Sequence, residues 1–128
     1  MIVVDASALV AIADDEPEAD DLLAIIVRQD AVMAGVNYVE TGLILFGRRR
    51  MAGRADLDAW LRQLGVAVHT EDNLAGDALA AYLRFGRGFH AARLNLGDCF
   101  AYALAQRLDA ALLYKGDYFT LTDVRAAT

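Results

Sequence analysis

One cysteine, Cys99, stands in a chain of 128 residues, so no disulfide can form within it and a reducing, cytoplasmic setting is expected. Histidine is nearly as scarce: His69 and His90 lie far from Cys99 and from each other, without the spacing of a structural zinc site. Proline occurs once, at Pro17, and no linker, internal repeat or low-complexity tract interrupts the chain. No apolar run approaches the roughly 18 residues of a membrane span, so no membrane contact is expected. The first residues lack the basic leader of a secretory signal, and Asp5 breaks their short apolar run. A net charge of −6 gives no bulk attraction for nucleic acid, although it leaves room for a local basic patch or for carboxylates neutralised by a cation.

What is abundant is apolar surface, at 57% of residues, enough for one domain over 1–128 that buries roughly two thirds of the surface of its unfolded chain. The opening stretch, MIVVDASAL, organises the rest. Its apolar residues run into an aspartate and then toward a helical pattern, which predicts a buried parallel strand delivering Asp5 to its carboxyl edge. In open α/β sheets the ligand site lies outside that edge.

The remaining elements follow in order. Ser7 to Ala13 reads as a short apolar helix, and the chain restarts around Pro17 into a helix reaching about Arg28, with Leu22, Leu23, Ile26 and Val27 on one face. Ala31 to Gly35 is a second strand. Asn37 to about Met51 is a helix ending in Arg48, Arg49 and Arg50, which either complement the helix dipole or contact RNA. Ala55 to Leu64 is a helix closed by Gly65, and Val66 to His69 a third strand. Thr70, Glu71 and Asp72 signal the start of a helix extending to about Phe85. Gly86 to Asn95 has no periodicity and reads as a loop, Gly97 to Leu108 as an Ala-rich helix, and Ala110 to Tyr114 as a fourth strand that turns off through Lys115 to Phe119. This alternation predicts an α/β domain on a largely parallel sheet. Leu43, Phe46, Leu57, Trp60 and Leu61 on the two middle helices either fill the core or leave apolar surface for a second protein.

Each acidic candidate has a structural account. Asp5 caps the helix behind it, Asn37 with Glu40 and Asn95 with Asp98 have capping-box spacing, and Asp117 follows Gly116 as in many turns. Together, two lie at strand carboxyl ends and two in first turns of helices, positions that share one edge of a parallel sheet. Four carboxylates there repel one another unless a hard divalent cation holds them. Mg²⁺ or Mn²⁺ takes such ligands and supports hydrolysis of a phosphodiester.

The segments MIVVDASAL, YVETGL, LNLGDCFAYALA and LLYKGDYF together resemble PIN-domain ribonucleases of the VapC toxin type, in the right order over nearly the whole chain. The resemblance implies a three-layer α/β/α sandwich around a mainly parallel sheet of four to five strands. It also implies an endoribonuclease dependent on Mg²⁺ or Mn²⁺, acting on an RNA substrate, a homodimer, and a cognate VapB-type antitoxin that blocks the site. Carried onto this sequence, Asp5 and Asp98 match the metal ligands and Glu40 the third acidic member. Ser7 matches a hydroxyl residue that hydrogen-bonds within the cluster. Asp117 matches the fourth carboxylate one position early, since Tyr118 stands where such proteins usually have an aspartate, and Asp123 is a weaker substitute. Arg84, Arg87, His90 and Arg93, upstream of Asp98, are candidates to guide RNA by its phosphates, with Phe89 or Tyr82 stacking on a base.

Two rival readings remain at this stage. A strand ending in Asp also opens haloacid-dehalogenase-like phosphatases, but those place a second Asp where this chain has Ser7, and their domain is longer. A non-catalytic PIN-fold interaction module, its activity lost with the shifted fourth carboxylate, is the other.

Overall fold

A computed structural model describes residues 1–70 and 73–128. Among these, four strands form one parallel sheet in the order β3-β2-β1-β4: β1 (Ile2–Val4), β2 (Ala31–Ala34), β3 (Val66–His69) and β4 (Ala111–Leu113). A further bridge sets Ala126 beside Leu112 at the β4 edge. The chain runs from β1 outward through β2 and β3, then returns to place β4 on the other side of β1. The order therefore switches between β1 and β4, where open parallel sheets form their ligand crevice.

The alternation along β1 decides which layer each residue joins. Ile2 and Val4 enter a core with helices α1 (Ala6–Ala13), α2 (Ala19–Ile26), α3 (Gly35–Gly47) and α4 (Arg54–Leu64), whereas Val3 enters a second core with α5 (Leu74–Phe85) and α6 (Leu96–Arg107). The three layers are those of an α/β/α sandwich. Helix α4 buries Leu57, Leu61 and Leu64 at helical spacing, and α5 buries Leu74, Ala78, Ala81 and Phe85 in the same manner. Gly65 ends α4 with φ of 76°, a left-handed conformation that suits glycine. Helix α6 is buried nearly all round, from Cys99 through Ala101 to Ala105, because it packs against α5, α3 and the sheet at once. Fully burying a large aliphatic side chain stabilises by about 1.5–3 kcal/mol, so these two cores carry the fold.

Several expectations change. Helix α3 begins at Gly35, directly after β2, and its N-cap is Ala34, so Asn37 is a buried interior residue rather than a cap. It ends at Gly47, which leaves Arg48 to Arg50 beyond the last turn; Arg48 and Arg50 both pair with Asp14 at the end of α1. Helix α5 starts at Leu74 behind Asn73, which makes no side-chain cap, and the Glu71 and Asp72 of the expected start signal lie outside the described residues. The stretch from Gly86 to Asn95 is a loop as expected, closed at its base by the Arg87 N–H donating to the Leu94 carbonyl and the Leu94 N–H to that of Phe85, both at 3.0 Å. Leu57 and Leu61 are absorbed by the core, whereas Leu43 stays 68% exposed. Among the described residues no helix is long and apolar enough to cross a membrane.

Candidate active site

At the carboxyl edge of β1, beside β4, lies a cavity of about 260 Å³ whose lining includes Asp5, Ser7, Glu40, Asp98, Lys115 and Tyr118. Three separate elements supply its carboxylates: the end of β1, the middle of α3 and the first turn of α6.

Asp5 is 3% exposed and occupies the N-cap of α1. Its Oδ2 accepts the Ser7 N–H at 3.0 Å, the capping bond expected of Asp before a helix. Its other oxygen, Oδ1, is buried without a hydrogen-bond partner. An orphaned anionic oxygen is costly to bury, and the capping role explains only half of this carboxylate. Burial raises the Asp5 pKa, against the lowering effect of hydrogen bonds from Ser7 and Ala6.

Asp98 and Asn95 form the expected capping box: the Asp98 N–H donates to Asn95 Oδ1 at 2.9 Å, and the Asn95 N–H to Asp98 Oδ2 at 3.0 Å. Its pKa is nonetheless pushed up to about 6, by burial first and then by the charges of Asp5 and Glu40, with the Asn95 N–H opposing. Glu40 shifts upward as well, through burial and the charge of Asp5, while its hydrogen bond from Asn37 pulls the other way. Local capping and mutual repulsion thus coexist in one cluster. All three carboxyls resist ionisation when the cavity holds no cation, and a divalent ion between them removes that repulsion.

The fit to Mg²⁺ or Mn²⁺ rests on this donor set, hard oxygens with one oxygen of Asp5 unused. Among the described residues no three His, Cys, Asp or Glu side chains come together as a ready-made metal cage.

Ser7 closes the floor of the cavity. Its hydroxyl oxygen accepts the Lys115 N–H at 3.0 Å, joining the chain after β4 to the first turn of α1. Lys115 lines the same cavity, and its ammonium is held by Glu16 and by Glu18, the latter at 3.5 Å.

The other expected residues are placed differently. Asp117 is exposed and its side chain is not part of the lining; it precedes a 3-10 turn over Tyr118–Leu121, which carries Tyr118 and Phe119 to the cavity instead. Asp123 accepts the Tyr102 hydroxyl at 2.5 Å and pairs with Arg84 at 3.1 Å, so it sits in the α5–α6 region rather than in the cavity. These contacts, led by the Tyr102 hydrogen bond, lower its pKa. Arg84 is occupied by Asp123 and lies over the Phe85 ring, 4.6 Å from its centroid. His90 packs edge-on against Phe85 and accepts the Ala92 N–H on Nδ1 at 3.0 Å, while Arg87 and Arg93 are exposed along the same loop. None of the four lines the cavity.

Two residues of the site carried other meanings in the sequence. Asn37, read there as a cap, donates through Nδ2 to Glu40 Oε1 at 3.2 Å and to the Gly97 carbonyl at 2.9 Å. Lys115 looked like part of a turn. The signal for Asn37 was its spacing of three from Glu40, which a capping box and an interior helical pair share.

Comparison with known proteins identifies the family of the chain. A family model for the PIN domain matches residues 2–124. A ribonuclease VapC of Mycolicibacterium smegmatis is 46% identical over 128 residues, covering 98% of each chain. Ribonuclease VapC42 of Mycobacterium tuberculosis is 42% identical over 129 residues, again 98% of each chain. Ribonuclease VapC30 of the same organism is 41% identical over 127 residues, 96% of this chain and 95% of that one. The crystal structure of Mycobacterium tuberculosis VapC20, described as a toxin that cleaves the sarcin-ricin loop, shares the fold with a TM-score of 0.71 at 18% identity, over 98% of this chain and 99% of that one. With its length matched almost throughout and its carboxylates gathered where the sheet order switches, the chain belongs to the PIN-domain family, in the branch of the VapC ribonucleases.

Proposed function

We propose that this chain is a metal-dependent endoribonuclease, a toxin that hydrolyses RNA phosphodiester bonds and is neutralised by a cognate VapB-type antitoxin. The observation that carries the reading is the convergence of Asp5, Glu40 and Asp98 from three elements on one cavity, with Asp5 Oδ1 buried and unpaired. Asp5 and Asp98 are the residues to hold Mg²⁺ or Mn²⁺. The ion, when bound, supplies charge neutralisation at the phosphate and a water of lowered pKa.

The chain's own residues do the rest. The Ser7 N–H fixes Asp5 through Oδ2 and leaves Oδ1 for the ion. The Asn95 N–H orients Asp98 in the same way through one oxygen. Glu40, held by the Asn37 amide and made more basic by burial and the Asp5 charge, orients the attacking water and accepts its proton. Lys115, in the lining of the same cavity, meets a phosphate oxygen of the substrate once its ammonium exchanges Glu16 or Glu18 for it. Asp117 acts from outside the lining, through its charge alone, and Arg87 and Arg93 are the exposed cations upstream of Asp98 that can follow an RNA backbone. We further assign the whole chain to one domain, a cytoplasmic setting and a homodimeric assembly.

A non-catalytic interaction module is the second reading, and the specific observation in its favour is Tyr118 in the lining while Asp117 stays outside. Cleavage of total cellular RNA by the purified, antitoxin-free protein separates the two. Discrete products with Mg²⁺ or Mn²⁺, abolished by EDTA, are expected; intact RNA in every condition, from protein shown to be folded, supports the module.

A further inference from the structure

Asn37 is fully buried in the middle of α3, an unusual place for an amide. Both groups facing its Nδ2, the Glu40 carboxylate and the Gly97 carbonyl, are acceptors, so the amide orientation is set by its partners. The consequence falls on the opposite atom: Asn37 Oδ1 is buried with no hydrogen-bond partner. Leaving an acceptor unpaired in the interior is destabilising, and a fold that needed only packing here would carry an apolar residue of similar volume.

Gly97 completes the arrangement from the other side. A Cβ at this position would lie 2.4 Å from Glu40 Oε2 and 2.6 Å from Oε1, so the carboxylate rests directly on the Gly97 backbone. Glu40 is therefore confined between an amide one turn earlier on its own helix and the first turn of α6, the turn that also carries Asp98. One pair of hydrogen bonds fixes the Glu40 carboxylate and the spacing of α3 to α6 at the same time.

We propose that Asn37 is a positioning residue for the reaction: its amide, with the bare backbone of Gly97, holds the Glu40 carboxylate at the cavity in register with Asp98. The inference rests on the reading of the cavity as a metal-dependent nuclease site. Asn37 itself touches neither ion nor substrate; it acts through Glu40. Outer partners of this kind typically change metal affinity or activity by about 10–100-fold.

A double-mutant cycle tests it, using Asn37→Leu, Glu40→Gln and the double variant, with Mn²⁺ affinity measured by calorimetry on the metal-free protein, thermal melting, and kcat and KM for RNA. Asn37→Leu is expected to weaken Mn²⁺ binding and lower kcat by about tenfold or more, with KM within twofold and the melting temperature unchanged or higher. In the Glu40→Gln background the same change is expected to cost clearly less, because the charged carboxylate is gone and the bond to the Gly97 carbonyl is the main contact left to lose. Should Asn37→Leu melt early, Asn37→Ser, which keeps one donor and the helix, takes its place in the cycle. Equal losses in both backgrounds, or wild-type affinity and kcat in the single variant, overturn the proposal. A wild-type protein that cleaves RNA while Asn37→Leu is indistinguishable from it sinks the positioning role alone; a wild type that neither binds Mn²⁺ nor cleaves sinks the site and this inference with it.

Discussion

The backbone N–H of Lys115 donates to the Ser7 hydroxyl oxygen at 3.0 Å, and this bond joins the chain leaving β4 to the helix leaving β1. It bridges the point where the strand order reverses, so the two walls of the cavity are tied at their base. Ser7→Ala removes that acceptor but keeps the Ser7 N–H that caps Asp5. The expected cost is about 1 kcal/mol of stability, read by urea unfolding, together with a larger proportional loss of kcat as Lys115 and Tyr118 shift. Full activity in Ser7→Ala would show that the tie does not matter to the site.

Charge within the cavity makes the metal-free protein sensitive to pH in a defined direction. The Asp98 carboxyl has a folded pKa of about 6 against an ordinary value of 3.8, so between those values the folded state holds more protons than the unfolded chain. Stability therefore falls as pH rises through that window, and Asp5 and Glu40, shifted the same way, add to the fall. In EDTA, wild type should lose about 1–2 kcal/mol relative to Asp98→Asn between pH 4 and 7, a figure already discounted for solvent screening. Urea midpoints of the two proteins across that range check it. Saturating Mn²⁺ should remove the difference in slope, since a bound cation favours the charged carboxylates.

Gly97→Ala separates geometry from stability. The added Cβ collides with the end of the Glu40 side chain, which can swing away, and alanine is the better helix former by about 1 kcal/mol. Melting should be unchanged or slightly higher, while kcat falls by about tenfold because Glu40 leaves its place. A variant that melts early and keeps its kcat contradicts the account.

Asp117→Asn and Asp123→Asn address the fourth carboxylate. Neither side chain lines the cavity, and Asp123 is engaged by Tyr102 and Arg84. Both variants should retain cleavage within about tenfold of wild type, with Asp123→Asn losing stability of about 1 kcal/mol through its Tyr102 bond. Loss of activity in Asp117→Asn as deep as that in a variant of Asp5 would require the segment after β4 to rearrange when RNA binds.

The parts of this site that were legible in the sequence are those written by local chemistry. Asp5 was placed by the apolar strand before it, Gly65 by the end of a helical pattern, and the Asn95 and Asp98 box by a spacing that the structure reproduces. Asn37 was read as a cap because its second partner, Gly97, lies 60 residues away and nothing local announces it. Arg48 and Arg50 were left between a helix-dipole role and an RNA contact for the same reason: Asp14, their partner, is remote in sequence. The 3-10 turn that carries Tyr118 inward and Asp117 outward depends on hydrogen bonds from Thr120 to the Asp117 carbonyl, a detail of backbone path that composition does not encode.

The central claim is that Asp5 holds a catalytic divalent ion, and the most direct measurement is RNA cleavage by purified Asp5→Asn beside wild type at saturating Mn²⁺, with melting recorded for both. The account predicts a rate lower by more than about a thousandfold, with a melting temperature unchanged or raised because a buried, half-paired charge has been removed. Cleavage at the wild-type rate by the folded variant would contradict it.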